Sequence, residues 1–110
     1  MFPFGSKPST LRNIAANELQ TMLSQGGITL VDVREPGEFA QVRIKGAVNL
    51  PLSSFNPAKL PAGAVVLQCG VGKRSAMAAD KCAKAGREIT GHLAGGLNGW
   101  VQAGLPVIAG

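Results

Sequence analysis

A cysteine and two cations stand close together in the segment Cys69–Ser75, which reads Cys-Gly-Val-Gly-Lys-Arg-Ser. An apolar run of strand type precedes Cys69 and a helix-forming segment begins at Ser75, so the pattern predicts a strand, a tight loop and a helix. Such a loop turns several backbone N–H groups inward at the positive end of the helix, and Gly70 and Gly72 permit the φ > 0 conformations that this requires. A thiol in this setting has a lowered pKa. The sequence therefore predicts a nucleophilic cysteine in an anion-binding loop.

The loop side chains each have two interpretations. Cys69 is either the nucleophile or a buried structural thiol, and its place before a glycine- and cation-rich loop favours the nucleophile. Lys73 is either an electrostatic guide for an anionic substrate or a solvated surface lysine. Arg74 either contacts the substrate or acts as a clamp that binds loop carbonyls or a carboxylate such as Asp32. The candidate substrate-binding positions are Gly70, Val71, Gly72, Lys73, Arg74 and Ser75.

Polar residues outside the loop are given supporting roles. Asp32 ends an apolar run and Arg34 follows it, and we expect them to lie behind the loop, with Asp32 holding it rather than transferring protons. His92 is interpreted as an ordinary strand residue, since nothing in the sequence pairs it with Cys69 as a base. Trp100 is expected to pack the last helix onto the core.

The second cysteine, Cys82, lies inside a helical pattern and is expected to pack as a small apolar residue. Two cysteines without a CxxC spacing and a single histidine do not make a zinc site, so we expect no metal. A disulfide between the cysteines is not expected in a cytoplasmic chain.

Composition predicts one globular domain, with 110 residues of which 45% are hydrophobic and 15% charged. The net charge is +5, but the cations are scattered and the aromatics few, so attraction of a small anion suits the charge better than nucleic-acid binding. No run approaches the ~18 apolar residues of a membrane span. The start lacks the features of a secretory signal, which predicts a cytoplasmic protein. A soluble domain cut from a longer chain is the alternative.

The periodicity predicts strands that alternate with short helices. The predicted strands are Ser9–Ile14, Ile28–Asp32, Gly46–Leu50, Ala64–Gln68 and Glu88–Leu93; the predicted helices are Ala15–Leu23, Glu35–Phe39, Ser75–Ala85 and Leu97–Ala103, with helical turns in Ser53–Leu60. This order is typical of an α/β domain with a mostly parallel sheet, whose ligands lie beyond the carboxyl ends of the strands. We expect residues 1–9 to be a tail and residues 10–110 to form the domain.

Several stretches together resemble the rhodanese-like family of sulfurtransferases. They are Leu30–Phe39, Ile44–Leu52, Cys69–Ser75, Leu93–Trp100 and Ala103–Val107. Their order and spacing match the family over nearly the whole chain. The resemblance implies a single rhodanese domain with a central five-stranded, mostly parallel sheet, flanked by helices on both faces. The active loop then lies between the fourth strand and its helix.

The resemblance also implies a mechanism that needs no cofactor. A Cys69 thiolate takes sulfane sulfur from a small anionic donor, thiosulfate or a persulfide, and passes it to a thiol, cyanide or a protein cysteine. The sulfur-transfer type has four residues between cysteine and arginine, as this chain has, whereas related phosphatases and arsenate reductases have one more. The alternative function is a rhodanese-like binding or sulfur-relay module that depends on a protein partner.

Two departures from the family pattern concern specificity. The chain has Val42-Arg43-Ile44 where the family usually has Gly-His-Ile. It also has Gly70 and Val71 where the two-domain thiosulfate enzymes carry basic residues. The resemblance therefore does not extend to a strong preference for thiosulfate.

Overall fold

Strands and helices alternate along the chain, as the hydrophobic pattern predicts. The computed structural model describes residues 11–110. The strands are β1 Asn13–Ile14, β2 Ile28–Asp32, β3 Val42–Arg43, β4 Val48–Asn49, β5 Ala64–Gln68, β6 Gly91–Leu93 and β7 Ile108–Ala109. The helices are α1 Ala16–Gln25, α2 Pro36–Gln41, α3 Lys73–Lys84 and α4 Gly96–Gln102, and two 3₁₀ turns cover Leu52–Ser54 and Pro57–Lys59.

Five of the strands form one parallel sheet in the order β1-β6-β5-β2-β4. The two longest strands, β2 and β5, pair along their whole length, from Ile28 opposite Ala64 to Asp32 opposite Gln68. Both are nearly continuous apolar runs because a central parallel strand is covered on its two faces. The expected α/β fold with a central five-stranded parallel sheet is confirmed.

Each face of the sheet carries its own buried cluster. One contains Val65, Leu67 and Cys69 together with Ala78 and Cys82 of α3. The other contains alternate strand residues with Leu19 of α1 and with Leu97 and Trp100 of α4. Neighbouring side chains of a strand point to opposite faces, so β5 contributes to both clusters. Helices cover the two faces, and both Cys82 and Trp100 pack in the core as expected.

The carboxyl ends of three adjacent strands lie at one edge of the sheet. Strand β5 ends directly before Cys69, with β2 on one side, ending at Asp32, and β6 on the other, containing His92. In a parallel sheet this edge is where ligands bind. The fold therefore places the Cys69–Ser75 loop above the middle of the sheet.

Several element boundaries differ from the sequence prediction. Helix α3 begins at Lys73 rather than Ser75, because Gly72 precedes it with a φ of 102° and turns the chain into the helix earlier. Strand β6 begins at Gly91 rather than Glu88, since its pairing with β5 covers only Val66 and Leu67. Strands β1 and β4 have two residues each, shorter than predicted. The predicted positions 9 and 10, and the predicted tail, lie outside the described residues.

A small antiparallel sheet, β3 with β7, was not expected. Val42 pairs with Ala109 and Arg43 with Ile108. Two-residue strands carry no periodic signal, and their pairing joins segments distant in sequence. In residues 11–110, no helix is long and apolar enough to cross a membrane.

Candidate active site

The Cys69 sulfur lies at the floor of a cup made of backbone amides. The N–H groups of Gly72 and Ser75 donate to Sγ, with N–Sγ distances of 3.1 and 3.3 Å. The Ser75 hydroxyl oxygen lies 3.6 Å from the same sulfur. Because α3 begins at Lys73, the Ser75 amide belongs to its first turn, where helix N–H groups have no partner within the helix. Cys69 itself is fully buried.

These contacts favour the thiolate form of Cys69. Burial by itself raises the pKa of the thiol, but the Ser75 hydroxyl and the amides of Ser75, Gly72 and Val71 lower it by a larger amount. The pKa of Cys69 therefore lies below the usual value of a cysteine. The pKa of Cys82 is raised instead, because burial outweighs the attraction of Arg87. Of the two thiols, only Cys69 has the environment of a nucleophile.

Helix α4 holds the other side of the loop. The Leu97 amide donates to the Cys69 carbonyl at 2.8 Å, and the Asn98 amide donates to the Gly70 carbonyl at 3.0 Å. A Cβ on Gly96 would lie 2.4 Å from the Gly70 oxygen, so only glycine allows this contact. In the sequence, Gly95 and Gly96 indicate only a turn, because the support that Gly96 gives to the loop depends on the packing of α4 against Cys69 and Gly70.

The same restriction applies at Gly72, on the opposite part of the loop. A Cβ there would lie 2.1 Å from the carbonyl oxygen of Ala94, and the residue has positive φ. The loop is thus packed backbone to backbone against the segment between β6 and α4. This packing fixes the direction of the amides that surround Sγ.

Arg74 is bound to a carboxylate, but not to the one that the sequence suggested. Its Nη1 and Nη2 donate to Glu38 Oε1 and Oε2 at 2.7 and 3.1 Å. Glu38 Oε1 also accepts from the Glu35 amide at 2.9 Å, which caps α2. The Arg74 guanidinium lowers the pKa of Glu38 to about 2. A Cβ on Gly70 would lie 3.3 Å from Nη2, so the ion pair lies directly beside the loop.

Asp32 and Arg34 form a second, buried ion pair that contacts the backbone of α2. The Asp32 carboxylate accepts from the Arg34 guanidinium, with the Nη2–Oδ2 distance 2.8 Å, and from the Arg34 amide at 2.9 Å. Arg34 also donates to the carbonyl of Val42 at 2.7 Å and to that of Glu38 at 3.5 Å. Asp32 thus acts on the loop indirectly: it fixes Arg34, Arg34 fixes the end of α2, and α2 carries Glu38.

His92 lies beside Ser75. Its Nδ1 is 2.7 Å from the Ser75 hydroxyl, and its Nε2 is 3.0 Å from Asn13 Oδ1. Burial lowers the pKa of His92. No sequence pattern indicates this arrangement, because it depends on the packing of α3 over β6.

The outer side of the loop is exposed. Lys73 is exposed and Val71 is 61% exposed, so an apolar and a cationic side chain stand above the buried thiol. Among residues 11–110, no group of three or more His, Cys, Asp and Glu side chains is arranged to hold a metal ion. The chemistry that the described site supports is that of a thiolate and its hydrogen-bond donors.

Comparison with known proteins agrees with this geometry. Residues 15–103 match the family described as Rhodanese-like domain. The chain belongs to the rhodanese-like family. A solved rhodanese-related protein from Thermoplasma volcanium superimposes with a TM-score of 0.78 at 30% sequence identity, covering 88% of this chain and 97% of that one.

Two curated relatives are similar to most of this chain. It is 31% identical over 101 residues to the thiosulfate sulfurtransferase GlpE of Haemophilus influenzae, covering 89% of this chain and 95% of that protein. It is 43% identical over 106 residues to an uncharacterized protein of Synechocystis sp., covering 94% of this chain but only 59% of that protein. The family match and the sulfurtransferase relative support a role within the sulfurtransferase family.

Proposed function

We propose that this rhodanese-like domain is an enzyme that transfers sulfane sulfur through a persulfide on Cys69. The observation that carries the proposal is the pair of amides, from Gly72 and Ser75, directed at the Cys69 sulfur. Hydrogen bonds to an anionic sulfur stabilise it both as attacking nucleophile and as leaving group. The donors are thiosulfate or a persulfide, and the acceptors are a thiol, cyanide or a protein cysteine.

The reaction proceeds in two displacements. In the first, the Cys69 thiolate forms a bond to the terminal sulfur of the donor, and the donor's own S–S bond breaks. Sulfite leaves from thiosulfate, or a thiolate leaves from a persulfide, with the electron pair. In the second, the acceptor attacks the outer sulfur of the Cys69 persulfide and Cys69 leaves as thiolate. The same amides stabilise sulfur in both directions, so no metal or organic cofactor enters either step.

The shape of the site favours a narrow donor. Cys69 has no exposed surface, so a donor reaches Sγ only with its terminal sulfur and with some displacement of the loop. Lys73, an exposed residue of the loop, attracts an anionic donor. Four residues separate Cys69 from Arg74. The resemblance to the rhodanese-like family associates this loop length with sulfur transfer, and one more residue with the related phosphatases and arsenate reductases.

The experiment that tests the proposal is intact-protein mass spectrometry after brief exposure to thiosulfate or a small persulfide. We expect the protein to gain the mass of one sulfur atom and to lose it on addition of cyanide or a thiol. Cys69→Ser should gain nothing, whereas Cys82→Ser, the matched control in the core, should gain sulfur like the parent chain. Loss of sulfur uptake in Cys82→Ser alone would overturn the assignment of Cys69.

The same measurement separates the alternative, a binding or relay module. If neither small donor modifies Cys69 but a persulfidated protein does, the domain receives sulfur from a partner and the enzyme proposal fails. Phosphatase turnover that depends on Cys69 would contradict the inference from loop length.

A further inference from the structure

A continuous line of hydrogen-bonding groups leads away from the Cys69 sulfur into the protein. Sγ is 3.6 Å from Ser75 Oγ, Ser75 Oγ is 2.7 Å from His92 Nδ1, and His92 Nε2 is 3.0 Å from Asn13 Oδ1. Cys69 and Ser75 are fully buried and His92 is 5% exposed. The two displacements described above use the amides of the loop and leave His92 without a role.

The partners of the ring determine where its protons lie. Asn13 Oδ1 only accepts, so the neutral imidazole carries its proton on Nε2 and presents Nδ1 as an acceptor. The Ser75 hydroxyl then donates to Nδ1, because its distance to the Gly72 carbonyl is longer, 3.2 Å. With its proton directed at His92, Ser75 Oγ accepts from the Cys69 S–H. In the thiol state, all the donors in the line point from Cys69 toward His92.

We propose that His92 accepts the Cys69 thiol proton through the Ser75 hydroxyl. His92 acts through Ser75 and is therefore a positioning residue. The inference rests on the proposed function, in which Cys69 reacts as a thiolate. The Cys69 S–H bond breaks and its proton passes to Ser75 Oγ, while the original hydroxyl proton of Ser75 passes to Nδ1. The net change is one proton moved from sulfur to imidazole, with no other reactant.

The line of groups fits the product of this transfer as well as the starting state. Ser75 now holds a proton that points at the thiolate, and it accepts from the Nδ1–H of the imidazolium. The Nε2–H still donates to Asn13, so both ring donors are satisfied. In this state the Ser75 hydroxyl is a third donor to the thiolate, beside the two amides. While His92 is neutral, the hydroxyl proton is directed at Nδ1 instead. The ionisation of Cys69 and that of His92 are therefore coupled.

Few other charges face the ring. Strand β5 has no charged side chain before Cys69, and the cation beside β1, Arg12, is paired with Glu18. On α3, the Arg74 and Lys84 side chains have carboxylate partners of their own, and Lys73 and Lys81 are exposed. Burial lowers the pKa of His92, so the imidazolium depends on a nearby anion. The Cys69 thiolate is the anion that the line of hydrogen bonds connects to it.

The chain has a single histidine, so NMR of the imidazole ring reports on His92 without ambiguity. We expect the imidazole titration of the parent protein to lie about one pH unit higher than that of Cys69→Ser, which keeps a hydrogen-bonding group but forms no anion. Cys82→Ser should titrate like the parent. Identical titrations in the parent and in Cys69→Ser would overturn the proposal.

A second readout is the rate at which iodoacetamide alkylates Cys69 as a function of pH. In His92→Asn an amide oxygen can still hold the Ser75 proton but never returns one, so alkylation at pH 6 should be about tenfold slower than in the parent. Asn13→Asp places a carboxylate at Nε2, favours the imidazolium and should make alkylation at pH 6 faster. If the dependence of the alkylation rate on pH is unchanged in both variants, proton transfer from Cys69 to His92 is contradicted.

Neither readout requires sulfur transfer, so the two proposals fail separately. A coupled titration without sulfur uptake overturns the proposed function alone. Sulfur uptake with uncoupled titration overturns the role of His92 alone.

Discussion

Arg74 and Glu38 form a two-point ion pair, with Nη1–Oε1 and Nη2–Oε2 distances of 2.7 and 3.1 Å. The pair joins the first turn of α3 to α2 and lies beside the loop that carries Cys69. Because both terminal nitrogens are directed at Glu38, the geometry supports the clamp interpretation of Arg74 over direct contact with the substrate.

If Arg74 and Glu38 act as a clamp, replacing either residue should reduce sulfur transfer equally. Arg74→Lys keeps the charge but cannot make two parallel hydrogen bonds, and Glu38→Gln removes the charge of the acceptor. We expect each variant to reduce sulfur transfer to a similar extent, about tenfold for the loss of one charge-assisted hydrogen bond. The double variant should be little worse than either single one, since all three break the same contact. If Arg74→Lys is much more damaging than Glu38→Gln, the guanidinium contacts the donor.

The same ion pair predicts how stability depends on pH. The pKa of Glu38 is lowered from 4.5 to about 2 in the folded protein. The ion pair therefore makes its full contribution to the free energy of unfolding above about pH 4.5. As pH falls from about 4.5 toward 2, the unfolded chain binds the proton first and the contribution is lost. The difference in urea midpoint between the parent and Glu38→Gln should therefore shrink over this range. Glu88→Gln, at an exposed glutamate without an ion pair in the described chain, is the control for removing a charge. A difference that stays constant down to pH 3 would contradict the assignment.

Two glycines of α4, Gly96 and Gly99, predict opposite effects of replacement by alanine. Gly96 has a φ of 62°, and a Cβ there would lie 2.4 Å from the Gly70 oxygen, so Gly96→Ala should displace the loop and abolish most sulfur transfer. Gly99 lies within the helix and a Cβ there meets nothing within 4 Å. Gly99→Ala should raise the unfolding free energy by about 0.5–1 kcal/mol, because alanine favours the helix. Transfer assays and urea unfolding of both variants test this, and full activity in Gly96→Ala would show that the loop is not held as described.

The sequence was sufficient for features that depend on local pattern. The runs in β2 and β5 were predicted with their observed bounds, because central parallel strands are continuously apolar. Cys69 was placed in its loop by the change from an apolar run to glycines and cations. The rhodanese-like resemblance then supplied the sheet and its helices.

Contacts between distant segments could not be read from the same pattern. The partner of Arg74 is Glu38, 36 positions away, and the partner of Ser75 in α3 is His92 in β6. Several carboxylates were possible partners, and only the three-dimensional position of Glu38 on α2 selects one. The short sheet of β3 and β7 was missed for a related reason, since two residues are too few for a periodicity.

The buried pair of Asp32 and Arg34 predicts that replacing Asp32 lowers the free energy of unfolding strongly, although Asp32 contacts neither the thiol nor the loop. Both side chains are at most 5% exposed, and removing the carboxylate leaves the guanidinium buried without its counter-charge. Asp32→Ala should lower the unfolding free energy by about 3–5 kcal/mol, as breaking a buried pair typically does. Asp80→Ala, which removes an exposed partner of Lys84, is the matched control and should stay within about 0.5 kcal/mol of the parent. Urea unfolding measures both. If Asp32→Ala unfolds at the same urea concentration as Asp80→Ala, Arg34 is held by the carbonyls of α2 and β3 alone, and the support of Glu38 does not depend on Asp32.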